Sequence, residues 1–137
     1  MIDLKENRDS NNGKADVYKH RRTIWRILSD FYLDTEPQDR DFKLAARIIR
    51  NSPYTLDDVK RINKYELFPV LRYNLFRVTG EWQGFDQQIL SEAIINSLKK
   101  RNLLKKLVLE VSYLLFGSIS KEYLKKVEDI YRREAGL

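Results

Sequence analysis

From Leu103 to Phe116 the chain reads LLKKLVLEVSYLLF, and this spacing constrains the fold more than any other stretch. Leu104, Leu107, Val108, Val111, Leu114 and Leu115 recur three and four residues apart. That is the period of one helical face, not the alternation of a strand. A transmembrane span needs about 20 mostly apolar residues. Lys105, Lys106 and Glu110 interrupt this shorter run, so it reads as a core helix. Leu107 and Val111, one turn apart at the centre of the stripe, are expected to be buried. Gly117 is the expected stop, and Ser120 the expected cap of a last helix with Leu124, Val127 and Tyr131 facing inward.

The same period recurs upstream. Ile24, Ile27, Leu28 and Phe31 share one face, widened by Trp25 and Tyr32; Phe42, Ala45, Ala46 and Ile49 share another. Pro37 suits the first turn of that second helix. Thr55 followed by Asp58 is a capping box for a third helix. Glu66-Leu67-Phe68-Pro69 predicts a kink or break, with a fourth helix over Val70 to Phe76. Asp86 caps a fifth helix bearing Leu90, Ala93, Ile94 and Leu98. No segment alternates as a strand does. The expected fold is therefore all-α: one compact domain over residues 17–137, with six or seven helices packed as short helical hairpins. Residues 1–16 lack an apolar period and read as a flexible arm. They also lack the apolar segment of a secretory signal, which points to the cytoplasm.

Composition removes several kinds of chemistry. The absence of cysteine excludes disulfides, thiol nucleophiles and thiolate metal sites, and a single histidine excludes a His-based zinc centre. No glycine run has the pattern of a phosphate loop. His20 lies among Lys19, Arg21 and Arg22 and reads as a surface residue. Asp34, Glu36, Asp39 and Asp41 have the oxygens for a hard cation but not the spacing of a calcium loop, and acids beside a helix start are expected from the dipole alone. The expectation is a protein that is not an enzyme and holds no metal or cofactor.

The net charge of +6 is concentrated late: residues 98–137 carry ten cations against five acids. Lys99, Lys100, Arg101, Lys105 and Lys106 form the densest group and could attract a phosphate backbone. No recognised nucleic-acid motif accompanies them. The loop Gly80-Glu81-Trp82-Gln83-Gly84-Phe85 places two aromatics between closely spaced glycines, as either a pin into the core or an anchor for a partner.

Several of these strings occur together: Leu33-Asp34-Thr35-Glu36, Ser52-Pro53-Tyr54-Thr55-Leu56, Glu66-x-x-Pro69-Val70 and Gly80-Glu81-Trp82-x-Gly84-Phe85. In combination the chain resembles a bacterial family of short helical proteins of unknown function. The resemblance covers roughly residues 21–95 and leaves the helices from Leu103 to Arg133 outside. It implies a helical fold and brings no catalytic residues. The functional expectation is a protein–protein interaction module, of the immunity or antitoxin type found in toxin systems, whose partner could present an acidic face. Asp34, Glu36, Asp39, Glu81, Trp82 and Phe85 are the expected contacts. The alternative is nucleic-acid binding through Lys99, Lys100, Arg101, Lys105, Lys106 and the C-terminal helix.

Overall fold

Helical periodicity without strand signals gives a helical protein. A computed structural model describes residues 18–33, 36–72 and 87–136, and all regular structure among them is helical. The expected arm, Asp34, the loop with Glu81, Trp82 and Phe85, and the Asp86 cap lie outside the described residues. Helix α1 spans 18–29 and tightens into a 3₁₀ turn at Asp30–Tyr32. Ile24, Trp25, Leu28, Phe31 and Tyr32 are buried along it, the face expected from their spacing. Helix α2 (Asp39–Arg50) begins two residues after Pro37 rather than on it. Its first turn is held by Asp41, whose carboxylate accepts the Gln38 N–H at 2.7 Å.

The buried face of α2 is Phe42, Ala45, Ala46 and Ile49, as its pattern requires. The two alanines let a neighbour approach closely. That neighbour is α7 (Ser118–Glu134), which contributes Leu124 and Val127, so segments far apart in the chain close the core together. Phe31 stacks on Phe42 at 5.2 Å between ring centres, and Tyr123 of α7 tilts against both at 5.9 Å. Helix α5 (Gln87–Lys99) buries Leu90 and Ile94.

Pro69 does not break the chain's course. Helix α3 (Leu56–Ile62), with the Thr55–Asp58 capping box in place, runs into a π turn at Asn63–Leu67 and on into α4 (Phe68–Leu71). Counting these three as one rod, six helical rods are present among the described residues. A proline ring clashes with the carbonyl four residues back and donates no N–H. Here the turn widens by one residue, so the Phe68 N–H reaches the Asn63 carbonyl. The Tyr65 carbonyl, four before Pro69, instead accepts from the Arg101 guanidinium.

The π turn directs two polar side chains into the core. Glu66 is 7% exposed. It accepts from Trp25 Nε1 at 3.0 Å and from Arg21 Nε and Nη2 at 2.9 and 3.2 Å. Asn63 accepts from the Tyr32 hydroxyl at 2.7 Å and donates to Ser120 Oγ at 2.6 Å, while Tyr32 and Ser120 lie 3.0 Å apart. Burial pushes the Tyr32 hydroxyl pKa upward, so it remains a donor. Ser120 therefore does not cap α7, contrary to expectation: the helix starts at Ser118, and Ser120 is buried in this network. Gly117 is required by space rather than by backbone angle. Its φ is −85°, but an added Cβ would collide with the Tyr113 carbonyl and come within 2.9 Å of the Tyr113 ring.

Glu66→Ala should cost about 2–3 kcal/mol in urea unfolding, since a buried indole N–H and a charged hydrogen bond lose their acceptor. Glu66→Gln, which can still accept from Trp25, should cost less. Equal, negligible losses for the two variants would contradict this role.

Candidate functional site

Helix α6 (Leu103–Phe116) is where the sequence pattern and the structure part. Asn102 starts it, accepting the Lys105 N–H at 2.9 Å. Only Leu109 and Tyr113 are buried along it. Tyr113 meets Phe68 edge-on at 5.0 Å. Polar contacts hold the flanks: Glu110 accepts from the Tyr65 hydroxyl and from Lys64 Nζ, both at 2.6 Å, and Ser112 accepts from Arg72 at 3.1 Å.

The stripe expected in the core faces the other way. Leu107 is 61% exposed and Val111 49%, which corrects the expectation that both are buried. Leu103, Leu104, Val108, Leu114 and Leu115 are exposed beside them. At about 100° per residue these seven side chains fill a sector of roughly 140°, centred opposite Leu109 and Tyr113. Their regular spacing marks a face correctly and does not say what covers it. The sequence did hold a second signal, because Leu109 and Tyr113 make the helix apolar on both sides, and such a helix is normally covered on both.

The acidic residues expected as partner contacts are only partly described. Glu36 and Asp39 are exposed beside the start of α2. No three His, Asp or Glu side chains among the described residues are grouped to hold a metal ion. Asp30, close by, has its pKa raised by burial, against the pull of Arg26.

Of the basic residues, Lys99, Lys100, Lys105 and Lys106 are exposed, whereas Arg101 is half-buried and engaged with the Tyr65 carbonyl. Lys105 and Lys106 project about 100° apart, on either side of the buried line of α6, so they do not make one stripe. A denser basic groove of about 490 Å³ lies between α3, α6 and α7, walled by Tyr65 and Tyr113. Much of its charge is engaged internally. Lys60 pairs with Glu128 at 3.0 Å, Lys64 pairs with Glu110, and Lys121 lies over the Tyr113 ring at 4.7 Å. Glu128 is held below the usual carboxylate range by Arg132 and then Lys60, and Glu110 by Lys64 and then Tyr65.

Leu109→Ala should cost about 2–5 kcal/mol, the range for an aliphatic deletion in a core, and Leu107→Ala below about 1 kcal/mol. Urea unfolding of dilute protein measures both, and the reverse order would place α6 the other way round. A depressed carboxylate pKa adds stability above the unfolded value, which is lost as pH falls through the folded one. Glu110 thus strengthens the attachment of α6 at neutral pH, a contribution lost in acid. Glu110→Gln should accordingly narrow the stability difference between neutral pH and about pH 3, the region of carboxylate titration; an unchanged difference would contradict that.

No helix among the described residues is long and apolar enough to cross a membrane. No curated protein and no solved structure matches the chain. A family model does match, over residues 19–130. That range extends well past the 21–95 over which the motifs suggested a resemblance, so α6 and most of α7 are integral to the family's domain. By this match the chain belongs to a domain family of unknown function, DUF7079.

Proposed function

We propose that this chain acts by binding protein rather than by catalysis, and that the outward face of α6 is its contact surface. The observation that carries this reading is the exposure of Leu103, Leu104, Leu107, Val111, Leu114 and Leu115 on one side of one helix. With Val108 they present on the order of 800 Å² of apolar surface, above the few hundred Å² that monomers usually leave open. It is also about what one partner contributes to an interface of standard size. Lysines at the rim, Lys105 and Lys106 among them, keep such a surface soluble while it is uncovered.

An immunity- or antitoxin-type role is a narrower form of the same reading, with Glu36 and Asp39 as a second, polar contact. Phosphate-backbone binding receives less support, because Arg101 is committed to Tyr65 and three of the five groove cations, Lys60, Lys64 and Lys121, are paired or stacked. Photo-reactive side chains placed at Leu107 and, as a control, at the exposed Glu92 of α5 test the reading in the living host. Position 107 should yield protein adducts and position 92 few. Adducts with nucleic acid alone, or none from position 107, would contradict it.

A further inference from the structure

We infer that the partner seated on the outward face of α6 is a second copy of this chain, packed antiparallel across a two-fold axis. The inference rests on α6 being a protein-contact face and names its occupant. A two-fold interface must be self-complementary, each patch matching itself after rotation. For antiparallel helices with the axis level with residue 109, a side chain at position n meets the partner's at 218 − n. Position 103 then meets 115, 104 meets 114, and 107 meets 111, each an exposed leucine or valine, and Val108 falls at the edge of the face opposite Glu110. The matching extends round the helix as well as along it. All six side chains lie within the exposed sector, so each pair faces across the same interface.

Charge selects the orientation. The cations Lys99, Lys100, Arg101, Lys105 and Lys106 all lie at or before the first turns of α6, and from 107 to 120 there are none. Parallel pairing would gather the basic ends of both copies, Lys99 to Lys106, at one end of the pair. Antiparallel pairing sets each basic end beside the partner's cation-free half. The exposed apolar area, comparable to one side of a standard interface, is sufficient for a stable dimer of this kind.

Sedimentation equilibrium of the full chain across a wide concentration range tests the inference. The expected mass at higher concentration is twice the 16.4 kDa of the chain. Leu107→Glu should reduce it to the monomer with an unchanged helical circular dichroism spectrum, because Leu107 supports no core in the protomer. The chain has no cysteine, so engineered thiols report the geometry cleanly. Leu107→Cys with Val111→Cys should give a covalent dimer on mild oxidation. Leu104→Cys alone should not, since its copy lies about 15 Å away along the antiparallel pair, beyond the reach of a disulfide.

A monomer at every concentration, a dimer unaffected by Leu107→Glu, or self-crosslinking through Leu104→Cys would each overturn the inference. A monomer whose position 107 still gives adducts with a different protein overturns the second copy and leaves the protein-binding reading standing. Loss of all protein adducts defeats both.

Discussion

The π turn at Asn63–Leu67 is the joint that ties α1, α6 and α7 to one another. Four consecutive residues tie it to three other helices. Asn63 takes Tyr32 at the end of α1 and Ser120 in α7; Lys64 and Tyr65 hold Glu110 in α6; Glu66 takes Arg21 and Trp25 in α1. The Tyr65 carbonyl adds Arg101, just after α5. A regular α-helix presents side chains at fixed 100° steps, and Pro69 would strain it. Widening the turn relieves the proline and re-aims the polar residues in one adjustment.

These contacts are charged or buried, so they specify geometry more than they add to net stability. A buried carboxylate is costly unless every acceptor site is used, and Glu66 is acceptable because an indole and a guanidinium share it. The apolar core around it, from Trp25 and Phe31 through Phe42 and Ile49 to Leu124 and Val127, provides the main driving force. The polar pins fix which helix meets which.

Much of this was legible in the sequence. The faces of α1 and α2 were marked by spacing, and the start of α3 by its capping box, because local periodicity and caps act within a few residues. Glu66 and Ser120 were not legible as core residues. Their burial depends on partners 41 and 88 residues away in the chain, reached at Trp25 and Tyr32. The same limit explains α6. The spacing of its cleanest stripe predicts a core face, yet the protomer's core uses the sparser line of Leu109 and Tyr113. Spacing reports that a face is apolar; only the assembly of all elements decides which of two apolar faces turns inward.

Helix α6 gives its minor apolar face to the core and leaves its major face exposed. Methyl-labelled leucine NMR with a soluble paramagnetic probe, at dilution sufficient to keep the chain monomeric, measures this directly. Strong broadening of the Leu104, Leu107 and Leu114 methyl signals is expected, with protection of Leu109 and Leu124. Protected methyls at 104, 107 and 114, with Leu109 broadened, would contradict this orientation of α6.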